Sequence, residues 1–454
     1  MKSSLKSTIA VSLTNYLDAG AIVAGASGLT LWQNYLGLTE GHLGWLNAIS
    51  ANCLGAAIGA IIGGVLADKY GRKAIYTYNM LVYMFGVALI MVAVNFPMLL
   101  AGFLVTGISV GVGVPASWTY ISESSETTNR GRNIGISQMA WGIGPTIILV
   151  LGMLLAPPTT GGDTGGILFG AVESLAQFFV GADVSGAALN VFSSRIVFAS
   201  LFVVAVIAWL LQRRLDESAE WKAAQESATN SGIKQPSVFS TFSSLFTNKV
   251  NIRTMIFLAG MYLSWNLVCS VMGFFQQHIY ETVGGLSNEY ANMLSAGQWI
   301  VIIVVTFFFS MIVDKVNQRW LYFVGVGFGV LAWLIILTVG ISTMQGLLLF
   351  SLLWGLQAGI SVQSFYALWA SELFPARYRA AAQGIMFFVV RGLSAVWGLV
   401  FVYIYGEGGE GFTLSAAIML GLIMISWIIG TVWTPKTRGK SLEQITHERY
   451  GDDI

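Results

Sequence analysis

Charge is scarce in this chain. Of its 454 residues, 10% are Asp, Glu, Lys or Arg, and 55% are hydrophobic. A soluble domain carries roughly 25% charged residues, so most of this surface is not built to face water. Two cysteines, Cys53 and Cys269, each inside an apolar run, exclude a disulfide framework and a thiolate metal cluster. Three histidines, His42, His278 and His447, scattered over loops, helix ends and the tail, offer no enzyme site. No Gly-x-x-x-x-Gly-Lys-Ser/Thr run occurs, so the chain has no phosphate-cradling loop with which to couple ATP directly. A net charge of +1, with its basic residues spread over short loops, provides no patch for nucleic acid. No cofactor or metal is expected.

What is abundant is long apolar sequence. Stretches near the about 20 residues that a helical span needs fall at 8–32, 43–67, 74–94, 98–122, 132–155, 194–213, 253–279, 290–313, 319–341, 345–371, 380–404 and 413–433. They predict an all-α membrane protein of twelve transmembrane helices in two pseudo-symmetric six-helix bundles, with the lipid bilayer as its main partner and the monomer as its unit. Lys2 and Lys6 precede a first run that continues to about Trp32 without a cleavage site, so it reads as an uncleaved span. Of the 23 Lys and Arg residues, 21 lie in the two ends or the even-to-odd loops, the exceptions being Arg195 and Arg391. The positive-inside rule makes those segments, and both termini, cytoplasmic. A bacterial inner membrane is the expected location. The expected division is 1–213 for the first bundle, 214–252 for a polar, partly helical linker, 253–433 for the second bundle and 434–454 for a tail. The outer stretch 156–193 begins Pro157-Pro158-Thr159-Thr160-Gly161-Gly162-Asp163 and then turns apolar. It is expected to form a loop and then a helix lying at the interface or over the outer mouth. An insertion without function is the other reading.

Between the second and third runs stands Gly64-Val65-Leu66-Ala67-Asp68-Lys69-Tyr70-Gly71-Arg72-Lys73, and a shortened echo, Asp314 to Arg319, follows the eighth. Such an echo is what a duplicated membrane unit leaves behind. The first run resembles the Gly-x-x-x-Asp-Arg/Lys-x-Gly-Arg-Arg/Lys signature of the major facilitator superfamily. Further motifs resemble its sugar porter branch. These are Pro115, Tyr120, Glu123, Arg130, Gly131 and Arg132 near the fourth span's end, and Glu372, Phe374, Pro375 and Arg379 after the tenth. Glu217, Ser218 and Trp221 after the sixth, and Pro435 to Glu443 after the twelfth, complete the set.

The resemblance implies an inner gate of Asp68, Arg72, Glu123, Arg132, Glu217, Asp314, Glu372 and Arg379, with Arg130 and Arg377 beside them. Charges at helix ends on one face can latch two bundles together and must separate when that face opens. The plainer reading is that they only fix topology. Deep in the membrane stand Asp18 and Arg391. Charge there costs roughly 2.5–3.5 kcal/mol on insertion scales and usually faces a partner or cavity. Tyr16-Leu17-Asp18 resembles the first-helix segment whose aspartate binds the proton in proton-coupled sugar porters. The arginine that those proteins place in the fourth helix is replaced here by Phe103, which leaves Arg391 as the remaining deep cation. A guanidinium can grip a carboxylate, sulfonate or phosphate, so an anionic solute is one expectation. An Arg391–Asp18 pair serving a neutral sugar or cyclitol is the other.

Gln138 matches the family's fifth-helix glutamine. Asn266, Gln298, Gln363, Tyr366, Trp265 and Trp369 complete the candidate substrate contacts, the amides because buried amides need partners and the aromatics as stacking faces. The expected activity is import of a small polar solute (a sugar, sugar acid or other anionic sugar derivative) by proton symport with alternating access, the proton being the coupling ion. A uniporter for a neutral sugar or a cyclitol such as inositol, and a proton-coupled organic-anion carrier, are the alternatives.

Overall fold

The computed structural model describes residues 2–38, 40–49, 53–158, 165–230, 245–286, 288–360, 362–376, 378–406 and 409–451. Residues 159–164 of the outer loop, 231–244 of the linker, and Arg377 lie outside that set.

The first half comprises α1 (Lys2–Ser27), α2 (Leu29–Leu36), α3 (Glu40–Ile49), α4 (Leu54–Tyr70), α5 (Arg72–Met91), α6 (Phe96–Glu123), α7 (Arg130–Leu154), α8 (Phe169–Val180) and α9 (Gly186–Gln212). Helix α10 (Ala219–Asn230) follows in the linker. The second half comprises α11 (Lys249–Thr282), α12 (Asn288–Ile312), α13 (Gln318–Thr338), α14 (Met344–Gly359), α15 (Val362–Glu372), α16 (Arg379–Tyr405) and α17 (Phe412–Val432), and α18 (Leu442–Tyr450) ends the chain. Ten helices among the described residues are long and apolar enough to cross a membrane, α14 with α15 counting as one. Helices α1 and α4, at the predicted first and second spans, bring the bundle helices to twelve. The chain is an integral membrane protein.

Three predicted spans are broken rather than continuous. The first changes helix at Gly28, the second between α3 and α4, and the tenth after Gly359. Such breaks survive at membrane depth only where protein surrounds the freed backbone. At Gly28 a Cβ would lie 2.2 Å from the Ser194 hydroxyl on α9, so neighbouring helix fills the break.

Small residues set how closely the helices cross. Gly55, Gly59 and Gly63 recur every fourth position on α4, and their backbone lies against Gly107, Ile108 and Val112 of α6. This is close small-residue packing of the kind that holds helices together in lipid. Within the first half α6 packs between α4 and α5, and α1 packs on α7 and α9. Within the second, α13 packs between α14 and α17, and α11 on α16 and α17. The two most extensive crossings between the halves are α4 with α16 and α7 with α12, and α15 also meets α6 and α7, as α16 meets α6. The start of α1, the end of α9 and the start of α11 lie on one face with α18: Gln212 donates to the Ala10 carbonyl at 3.1 Å, and the Tyr450 hydroxyl donates to Asn251 Oδ1 at 2.7 Å. We call this the basic face.

Candidate functional site

On the basic face the halves are latched shut by charged side chains and helix ends. Asp68, at the end of α4, accepts from the backbone N–H groups of Ala380 (3.2 Å) and Ala381 (2.6 Å) in the first turn of α16. Asp314, just after α12, accepts from the N–H groups of Gly131 (2.9 Å) and Arg132 (2.7 Å) in the first turn of α7. Those amides have no partner within their own helices, and the positive end of the helix dipole favours a carboxylate there. Burial nonetheless pushes the Asp314 carboxyl above its ordinary range, with the two N–H bonds pulling it back.

Around these caps lies a buried ion network. Arg72 pairs with Asp68 (3.0 Å) and Glu123 (3.0 Å) in its own half and donates across the seam to the Ala376 carbonyl (2.7 Å). Arg379 reaches Glu123 from the second half at 2.6 Å, and Arg130 reaches Glu372 at 2.9 Å. Glu217 caps α5, accepting from the N–H groups of Arg72 (3.1 Å) and Lys73 (3.1 Å). Trp221 donates to the Asp68 carbonyl at 2.8 Å, which ties the linker to the same corner. The guanidinium that enters this network beside α7 is Arg130's. Arg132 is exposed and contributes its backbone N–H instead.

The seam is tighter on one side than on the other. A Cβ on Gly64 would stand 2.4 Å from the Ala380 carbonyl, and one on Gly384 would stand 2.2 Å from that of Ala60. At the equivalent crossing Ser310 occupies the place of Gly64 and packs against Gly135.

One layer deeper, the halves meet through neutral polar groups. Gln383 donates to the Thr119 hydroxyl at 3.0 Å. Above it Gln363 on α15 donates to Gln138 Oε1 on α7 at 2.9 Å, and the Tyr262 hydroxyl donates to Gln363 Oε1 at 3.3 Å. Tyr262 stacks on Tyr366 with ring centroids 4.2 Å apart, and Tyr366 meets Trp118 of the first half edge-on at 6.0 Å.

Next to this layer are the two deep charges. Asp18, 2% exposed, accepts from the Trp141 indole N–H at 3.1 Å. Trp141 lies one turn along α7 from Gln138, and its ring faces Trp299 of the second half at 6.2 Å. Arg391, 4% exposed on α16, lies over the Phe387 ring at 4.8 Å. Trp265 stacks near Tyr262 at 5.8 Å. Asp18 Oδ1, Gln138 Nε2 and Trp265 Nε1 are buried with no protein partner. One acceptor and two donors are thus left without protein partners among these residues, groups that a polar solute can satisfy.

The structure brings Asp18, Gln138, Gln363, Tyr366, Trp265 and Arg391 into this neighbourhood. Asn266 accepts from Ser394 at 2.9 Å, tying α11 to α16. Gln298 is engaged inside the second half by Gln276 (3.0 Å) and Ser351 (3.2 Å). Trp369 is placed away from Asp18: it donates to Gln318 at 2.9 Å and packs among Phe365, Tyr322 and Phe257 in the second bundle. Tyr262 was not singled out from sequence, whereas Arg130 was expected beside the gate. Tyr262 stands three residues before Trp265, and that helical spacing was the available signal.

With this geometry, residues 8–399 match the Major Facilitator Superfamily, and the chain belongs to that family, in its sugar porter branch. It is 41% identical over 448 residues to the minor myo-inositol transporter IolF of Bacillus subtilis, covering 98% of this chain and 94% of that protein. It is 25% identical to the glucose transporter GlcP of Staphylococcus epidermidis over 88% of this chain and 87% of that one. The fold is that of the proton:xylose symporter XylE of E. coli bound to 6-bromo-6-deoxy-D-glucose, with a TM-score of 0.74 at 16% identity over 98% of this chain and 99% of that one.

Proposed function

We propose that this protein imports a neutral polyhydroxylated ring, a cyclitol such as myo-inositol or a related sugar, together with a proton. The basic face is cytoplasmic in this reading, and the membrane is a bacterial plasma membrane. The observation that carries it is the juxtaposition of Asp18 and Trp141 with the Gln138–Gln363 bridge. A single buried carboxylate thus stands beside the amides that can read hydroxyl groups. Loading a proton on Asp18 changes the charge of this buried layer, which is what couples the proton to the carrier's state. Alternating access then carries proton and solute past the same layer as the inner latch opens.

Arg391 supports the neutral reading over an anionic one. Arg391 and Asp18 are both buried, one cation and one carboxylate, so an anionic solute is not needed to offset the buried guanidinium. The name of the 41%-identical relative points the same way.

The test is uptake into proteoliposomes with an imposed inward proton gradient. Labelled myo-inositol should accumulate above equilibrium, and Asp18→Asn should keep counterflow exchange while losing uphill uptake. Equilibration without accumulation for every solute bound would leave a uniporter and sink the symport reading. Loss of affinity in Arg391→Gln for sugar acids alone, with no myo-inositol transport by the parent, would restore the anionic solute.

A further inference from the structure

Helix α8 has no use in the scheme above, and its surface is unusual. Phe169, Val172 and Ala176, at positions i, i+3 and i+7, are buried against α9. Turning 100° per residue, the arc beside that stripe carries Leu175, Phe178 and Phe179, with Phe178 81% and Phe179 71% exposed. The remaining arc is narrow and polar, with Glu173, Ser174 and Gln177, all exposed. The helix therefore has three sides: one on protein, one apolar and uncovered, one suited to water.

Its position says what the apolar side meets. The segment is pinned to the end of α7 that lies opposite the basic face: the Leu168 N–H donates to the Leu154 carbonyl and the Gly166 N–H to the Ala156 carbonyl, both at 2.9 Å. It packs on α9, whose own neighbours, α1, α2, α5 and α7, all belong to the first half. Helix α9 leaves Val203 and Ile207 exposed along its length, so it forms part of the lipid-facing wall. Helix α8 therefore stands at the outer rim of that wall, on the side away from the second bundle and not over the seam between bundles. No Lys or Arg occurs between Arg132 and Arg195, so nothing in the segment recruits lipid phosphate by charge. The uncovered aromatic arc calls instead for acyl chains, with the polar arc turned to water.

We infer that α8 is an amphipathic anchor that lies in the outer leaflet, inserting Leu175, Phe178 and Phe179 among lipid acyl chains. The pseudo-symmetric connection in the second half, 406–411, is too short to hold a helix of this length. In this reading α8 holds the first bundle to the leaflet.

The experiment places single cysteines at Phe178, Leu175 and Ser174 in the full chain with Cys53 and Cys269 changed to alanine. Each is labelled with an environment-sensitive fluorophore in neutral phosphatidylcholine nanodiscs. Labels at 178 and 175 should be blue-shifted and quenched by lipids carrying a nitroxide high on the acyl chain, and not by aqueous iodide. The label at 174 should show the reverse. Iodide quenching at both 178 and 175 overturns the anchor. So does shielding of both from either quencher with cross-linking between two copies, since a second molecule would then cover this face.

Discussion

Asp68 and Asp314 do the same work from opposite halves: each carboxylate accepts two backbone N–H bonds from the first turn of a helix in the other bundle. The basic face is closed by each half capping a helix of its twin, with the ion pairs arranged around those caps. The relationship is reciprocal but unequal, because Asp68 also pairs with Arg72 at 3.0 Å.

Removing either carboxylate should favour the inward-open state. Losing a helix-capping side chain to alanine costs about 1 kcal/mol, so Asp314→Ala, which removes both acceptor oxygens, should raise the inward-open population roughly fivefold. Asp68→Ala should raise it further. Distances between spin labels on the inner ends of α4 and α16, and of α7 and α12, read both shifts. Equal shifts would show that the Arg72 pair adds nothing.

Glu123→Gln should be the most damaging gate substitution. It leaves Arg72 and Arg379, both essentially fully buried, without the carboxylate they share, and breaking a buried pair costs about 3–5 kcal/mol. A large fall in Tm with loss of uptake is expected. For Arg130 and Glu372 the double substitution Arg130→Gln/Glu372→Gln should be milder than the sum of the single changes, since it leaves no unpaired buried charge. A double-mutant cycle on Tm measures this, and strict additivity would mean the two do not interact.

Gly64→Val should prevent the inner face from closing. Its side chain would need the space of the Ala380 carbonyl, backbone that cannot rotate away. The variant should fold, bind solute from the inner side and fail to import. Retained transport at the parent rate would show that α4 and α16 separate more easily than their contact suggests.

Acid should favour the closed latch through Asp314. Its carboxyl is raised by burial in the latched state and regains its ordinary value when the face opens. The latched state therefore binds the proton more tightly. The contribution is fully present below the ordinary carboxylate pKa and is lost as pH rises through the raised one. Asp314→Asn should flatten this part of the pH dependence of the label distances. An unchanged slope would assign the dependence to other groups.

Much of this was legible in the sequence because charge at a helix end and apolar length are one-dimensional signals. The twelve spans, the two-part echo and the gate motif around Asp68 could be read that way. Partners across the seam could not. Sequence marks Arg130 and Arg132 alike, yet helix phase buries one and exposes the other, and only the folded chain shows that Arg132 works through its backbone. Trp369 and Trp265 look equivalent as mid-span aromatics, but packing sends the first into the second bundle and the second toward Tyr262. Helix α8 was half legible: its apolar content was plain, and which flank it packed on was not.

The Gln138–Gln363 bond has one more consequence. Under the proposed function, the two amides that would read solute hydroxyls already satisfy each other in part, so the protein carries a weak substitute for its own cargo. An arriving solute must displace that contact, and its affinity reflects an exchange of hydrogen bonds rather than their full strength. On the same reading, a ring with too few hydroxyls to replace the broken contact should be discriminated against.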